Sequence, residues 1–232
     1  MHGSNPALAA NTFMQLQIIT SWNAVHIKQY MSYKEVLDDP NITDFEKHLR
    51  VLSILCGIER KELDDLPANQ IIPLFNKMQF LTKEPTAEPE PYYEIGGQRF
   101  ALVMDVTKIT AGQFIDLNHY TKDANLILDN LHLICATLLL PVKPYRGKRV
   151  PPVEKYGESS TEERAEFLYE HMPIKEALGI SNFFTCLYNL FTEITKIYLE
   201  QMMTKQLNSA LTMLSAKNLN QLKTGITKNG NG

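Results

Sequence analysis

The sequence is poor in the features that announce a chemistry. Its three cysteines, Cys56, Cys135 and Cys186, are scattered over 232 residues with no Cys-x-x-Cys pair. That spacing excludes a disulfide framework and a thiolate metal site, and predicts free thiols buried in apolar helical runs of a protein from a reducing compartment. Long hydrophobic runs are missing as well. The most apolar stretch, residues 126–140, is broken by Asp129, Asn130 and His132 and falls short of the ~20 residues that span a bilayer. Residues 1–6 have no basic segment leading into an apolar core, so no secretory signal is expected. Charge of one sign is also lacking. With 23 Lys and Arg against 26 Asp and Glu the formal charge is −3, which argues against nucleic acid as the main partner.

Catalytic signatures are absent too. The chain carries no Gly-x-Ser-x-Gly elbow, no His-Glu-x-x-His, no Gly-rich phosphate loop ahead of a helix and no paired acidic motif of nuclease type. No catalytic, cofactor-binding or metal-binding residues are therefore expected. No internal repeat occurs at a period of 20–50 residues.

What is there is an ordinary globular composition, 44% hydrophobic and 21% charged, enough to build a sizeable core. Residues 1–15 read as a loose arm, with a possible short strand at 16–19. A mixed apolar stripe from Val25 to Leu37 predicts a helix. Thr43 and Glu46 have capping-box spacing, opening a helix that ends at Gly57. Residues 59–66 form a short polar turn anchored by Leu63 and Leu66. Pro67 starts another helix carrying Ile71, Phe75, Met78 and Leu81, with Pro73 in its first turns or kinking it.

Residues 83–91 hold three prolines and three glutamates. Such a segment cannot form a helix interior, and an extended linker is expected over 82–91. Gly96-Gly97 between two β-prone runs predicts a hairpin over 92–104, because the primed turns need φ > 0 at their centre. Beyond it the chain reads as helical again, over 110–120, from Asp123 through Leu139, over 162–172, and from Ile174 towards Met203 or Leu222. Residues 223–232 read as a flexible tail. The expected fold is mainly α, with helical segments, one β-hairpin near 92–104 and a long C-terminal helix. The division is an N-terminal helical segment at 1–81, the linker at 82–91, and a hairpin plus helical segment at 92–232.

Two local clusters have chemical potential. Asp116 and His119 sit three apart on one predicted helix and could hydrogen-bond, although no nucleophile or oxyanion donor accompanies them. Lys143, Tyr145, Arg146, Lys148 and Arg149 form a basic cluster with an aromatic inside it. It could contact phosphates while Tyr145 stacks on a base, but nothing extends the patch into a stripe. His132 reads as a core or interface histidine, and His171 as a partner of a helix C-terminus.

The last helix is apolar on more than one face, through residues such as Phe184, Leu187, Phe191, Ile194, Ile197, Tyr198 and Met202. It must be wrapped by its own subunit or by another chain. Beyond it, Leu207, Leu211, Leu214, Leu219 and Leu222 continue a sparser Met- and Leu-rich pattern suited to a partner-binding arm. Charge is uneven along the chain. Residues 1–91 hold eight Lys and Arg against twelve Asp and Glu, whereas residues 173–232 hold six against three.

The order of short motifs resembles a known group. They are Trp22-Asn23 and Gln29-Tyr30 at the first helix, the run 52–58, Leu63-Asp64-Asp65-Leu66-Pro67, the Gly96-Gly97 hairpin, the run 110–117, and Asn182-Phe183-Phe184 in the long helix. Over about residues 16–200 the chain is similar to small helical proteins of the head, neck and tail region of tailed bacteriophages. These include tail-assembly chaperones and virion-associated proteins of crAss-like gut phages. The resemblance implies a non-enzymatic virion-associated structural or cargo component acting through protein–protein contacts in capsid, neck or tail. Its partners would be other phage virion or tail-assembly proteins, or further copies of itself. Its place would be the virion, and the host cytoplasm during assembly. A tail-assembly chaperone absent from the mature particle, and a nucleic-acid-binding accessory protein, are the alternatives.

Overall fold

A computed structural model describes residues 18–145, 147 and 151–226. The expected arm at 1–15, Arg146, Lys148, Arg149 and the end of the expected tail lie outside the described residues. The protein is mainly helical with a small antiparallel sheet. By compactness it has two units, Met1–Phe183 and Phe184–Gly232.

In the first unit, helix α1 (Ile27–Asp38) is followed by α2 (Asp44–Cys56), α3 (Arg60–Asp64) and α4 (Ala68–Lys77). Local chemistry accounts for the boundaries of α2. The Thr43 hydroxyl accepts from the Glu46 N–H at 3.3 Å, and the helix stops at Gly57 in the left-handed conformation. Its buried face, Leu49, Val51, Leu52 and Leu55, packs towards α1 and α4. Leu63, fully buried, anchors α3. Pro73 stands inside α4, and Leu81 belongs to a 3₁₀ turn after it. Residues 18 and 19, where a short strand is expected, are not in a strand.

Strands β1 (Tyr92–Ile95) and β2 (Gln98–Leu102) form the expected hairpin, with Tyr93 opposite Phe100. Gly96 and Gly97 have φ of 54° and 76°, the two positive values a type I′ turn requires. Gly96 answers a second demand, because a Cβ there would come within 2.7 Å of the Phe167 ring. After helices α5 (Ala111–Thr121) and α6 (Leu131–Leu138), the chain forms β3 (Leu139–Pro141) on the free side of β2. The helix expected from Asp123 through Leu139 is instead a 3₁₀ turn at Ala124–Leu126 followed by α6, which turns directly into a strand. Helices α7 (Thr161–His171) and α8 (Ile174–Ile226) complete the order.

The abrupt end of α6 is met by donors from several elements. A helix leaves its last four carbonyls without intrahelical donors. Here Cys135 O accepts from Leu139 N, Ala136 O from Arg164 Nε at 2.8 Å, Thr137 O from Gln113 Nε2 at 2.8 Å, and Leu138 O from Val103 N at 3.1 Å. Gln113 and Arg164 are 1% and 6% exposed. Burial pulls the pKa of the Arg164 guanidinium down, while Tyr156, Glu154 and Glu162 act in the opposite direction. The negative end of the α6 dipole offsets the burial further. Cys135, fully buried in the same helix, has its thiol pKa pushed up by burial. Of the other two free cysteines, Cys56 is partly buried and Cys186 is exposed, so the expectation of buried thiols fails at Cys186.

A second junction ties the beginning of the chain to α8. Ile27 N donates to Met172 O at 3.0 Å and Ile174 N to Val25 O at 2.8 Å, forming a bridge between His26 and Pro173. Trp22 packs edge-on against Tyr30, Tyr33 and Phe80, and its Nε1 donates to Lys83 O at 2.7 Å. The Pro- and Glu-rich segment has no regular secondary structure over 84–90, and it is held along its length. Besides Lys83, Pro91 O accepts from Leu102 N at 3.0 Å. Ala87 O lies so close to Gly179 that a Cβ there would approach it to 2.7 Å. The compact units divide after Phe183, not at this segment.

Two predictions follow from these junctions. Arg164→Met keeps most of the side-chain volume but leaves Ala136 O without its donor. It is expected to cost about 2 kcal/mol, read as a lower urea midpoint at unchanged m-value. The second concerns His26, whose pKa burial and the neighbouring His171 hold below the ordinary histidine value. The unfolded chain then binds the proton more readily. Stability should therefore fall as pH drops below about 6.5 and level off once the folded site also titrates. Burial acts on His132 in the same direction. His26→Asn, which keeps a good helix-entry residue, should flatten but not abolish the slope of Tm against pH between about 6.5 and 5.

Candidate interaction surface

Helix α5 begins with a capping box. The Thr110 hydroxyl accepts from Gln113 N at 3.2 Å, and Gln113 Oε1 accepts from Thr110 N at 3.1 Å. This places Asp116 and His119 on consecutive turns, but the structure does not couple them. Asp116 Oδ2 accepts a hydrogen bond from the Tyr156 hydroxyl. His119 is exposed, with its ring edge-on to Tyr120 at 5.6 Å. Burial, and then the Asp116 carboxylate, raise the Tyr156 phenol pKa. The pair therefore anchors the loop before α7 onto α5. Tyr156 lies 40 residues away in sequence, so no local spacing could have disclosed it.

The basic cluster is also engaged where it is described. Lys143 forms an ion pair with Glu158, and its N–H donates to Pro152 O at 2.9 Å. The Lys143 ammonium and the Lys155 N–H hold the Glu158 carboxyl below its usual range. Tyr145 is 43% exposed.

Two of the grooves among the described residues lie on the first unit. One, of about 640 Å³, lies over the outer sheet face and is lined by Tyr92, Leu102, Met104, Leu140 and Tyr156 among others. The other, of about 470 Å³, lies between α1, α2 and α4 and is lined mainly by Tyr33, Leu37, Val51, Phe75, Met78 and Leu81. The His48 ring tilts over Phe75 at 5.2 Å, and Phe45 packs edge-on to the same ring at 5.9 Å. Lys47 lines this groove, with its ammonium donating to Leu37 O at 2.6 Å. Among the described residues no group of three or more His, Cys, Asp or Glu is placed to hold a metal ion, and no helix is long and apolar enough to cross a membrane.

In the second unit the described element is the remainder of α8. Phe184 and Tyr188 stack at 5.8 Å. Further along, large apolar side chains face outward. Leu199, Met203 and Leu207 are 54%, 58% and 63% exposed, and Met213 is 72% exposed. Spaced by four residues, the first three form one ridge along the helix. Ile197 and Met202 on the same helix are 53% and 40% exposed.

No protein-family model matches the chain, and no curated protein or solved structure matches it either.

Lys143 is already paired with Glu158, which leaves that one cation less available to a phosphate. Joint substitution of Lys143, Arg146, Lys148 and Arg149 by Ala is expected to leave retention on single-stranded DNA unchanged at low salt, measured by fluorescence anisotropy. A loss of binding with a steep salt dependence would instead make the loop a nucleic-acid site.

Proposed function

We propose that the chain is a non-enzymatic, virion-associated structural or cargo protein of a tailed phage, acting through protein–protein contacts in capsid, neck or tail. The observation that carries the assembly part of this reading is the exposed ridge on α8. Burying a Leu or Met side chain fully contributes about 1.5–3 kcal/mol. Three such residues, each more than half exposed, give several kcal/mol that only another surface can collect. Met on such a helix suits a partner interface, because its flexible side chain adapts to what it meets. The phage part rests on the resemblance of the short motifs from Trp22 to Phe184. The two residues that could have suggested catalysis have other partners: Asp116 binds Tyr156, and His119 packs on Tyr120.

The test is peptide mass spectrometry on nuclease-treated, gradient-purified particles of the source phage, quantified against the major capsid protein. Recovery in fixed proportion to the capsid protein is the expected result. Absence from particles with abundance in infected cells would make the protein an assembly chaperone.

A further inference from the structure

We propose that residues 1–17 dock in the groove between α1, α2 and α4 of the same molecule and close it, through Leu8, Phe13, Met14 and Leu16. The contact uses no residue of α8 and stands apart from the assembly reading.

Composition sets this segment apart. Residues 1–17 contain no Asp, Glu, Lys or Arg, and the first charged side chain in the sequence is Lys28. Segments that stay solvated are rich in charge and poor in large apolar residues. This one is uncharged and carries four large apolar side chains within positions 8–16, so those side chains call for cover. The other chain outside the described residues has no such content. Residues 227–232 hold no large apolar side chain, and residues 146 and 148–150 are three cations and Val150.

The point of attachment selects the groove. A hydrogen bond from the Ile19 backbone lies at the Cys56 side chain, at the end of α2. Three residues on, the Trp22 ring packs against Tyr33 at 6.1 Å and Phe80 at 5.2 Å. Tyr33 lines the groove, as do Gln79 and Leu81 on either side of Phe80. Val51 and His48, which line it on α2, lie about 8 and 12 Å along the helix from Cys56. Leu16 and Phe13 precede Ile19 by three and six residues, an extended reach of about 10 and 20 Å.

The lining suits an uncharged apolar occupant. Leu37, Val51, Phe75, Met78 and Leu81 supply apolar walls. The charged lining residues, Asp44 and Lys47, are one of each sign, and the Lys47 ammonium is bonded to Leu37 O. Phe75 already meets the rings of Phe45 and His48, an aromatic surface of the kind on which a further ring such as Phe13 packs.

Tethering decides between the chain's own segment and that of a second copy. A segment joined by a few residues competes at an effective concentration of about 1 mM. A second copy at micromolar protein is about a thousandfold more dilute, so the groove fills from within.

The experiment uses the full chain with the photo-cross-linker p-benzoylphenylalanine in place of Phe13, irradiated at about 1 μM to keep contacts within one molecule. The expected product has monomer mass, and peptide mass spectrometry joins position 13 to residues 33–51 or 75–82. A product of dimer mass, a product joined instead to the sheet groove at 91–105 or 153–156, or no product would each overturn the proposal. Leu37→Glu/Gln79→Glu places charge in the groove at two exposed positions. It should lower the yield about tenfold, since docking would bury that charge against apolar side chains. An unchanged yield would overturn the proposal.

Circular dichroism checks that this variant folds. Should it not, Leu16→Asp in the cross-linking chain decides in its place, at a position before the first described residue. Its carboxylate should lower the yield about fivefold for the same reason. A yield that does not fall would overturn docking through Leu16 and Phe13.

Discussion

Four carbonyls at the end of α6 have to be satisfied away from water, and much of the first unit is arranged around that demand. The helix stops at Leu138 and the chain continues as β3, so no turn intervenes to supply donors. The donors come from four places: Leu139, the first residue after the helix, α5 through Gln113, α7 through Arg164, and the chain leaving β2 through Val103. One helix end thereby sets the positions of two helices and the sheet. Leaving any of these carbonyls bare would cost about 1–3 kcal/mol, a large part of a domain's net stability. Arg164 is the demanding member of the set. It is a buried cation whose hydrogen bonds go to Ala136 O, Ser159 Oγ and Thr161 Oγ1, all neutral oxygens.

The same unit is closed at its other side by backbone pairing. The bonds between Val25–Ile27 and Met172–Ile174 place α1 against α7, and Lys28 reaches Glu170 at 2.7 Å. Helix α1 thus packs on α2 and on α7 at once. Residues before and after the proline-rich segment share one compact unit for that reason. The prolines still act as their chemistry requires, since they keep the segment extended. Trp22, Gly179 and Leu102 hold it in place.

Function reads most directly from what these constraints leave uncovered. Of the polar residues singled out for chemistry, Asp116 is bound by Tyr156 and Lys143 by Glu158. The ridge on α8 is left exposed, and the groove between α1, α2 and α4 is left open with several apolar side chains in its walls. Exposed apolar surface of that kind carries binding energy that a partner can collect, and the proposed assembly role would draw on it.

What the sequence determined by itself is local. Thr43, Thr110 and Ser160 cap helices because a hydroxyl reaches an N–H three residues on, and Gly96-Gly97 turns a hairpin because both positions need positive φ. Gly57 and Pro67 likewise mark ends and starts within a turn of themselves. Tertiary structure decided where the run Ile134–Leu140 changes from helix to strand. Apart from Thr137 those residues are apolar, so periodicity is blind there. The stop is set by donors 24 and 28 residues away, at Gln113 and Arg164. It also decided that Asp116 meets Tyr156 and not His119. Caps and turns act over three or four residues, whereas partners for buried carbonyls and carboxylates are chosen by packing between elements far apart in the chain, which no short window of sequence contains.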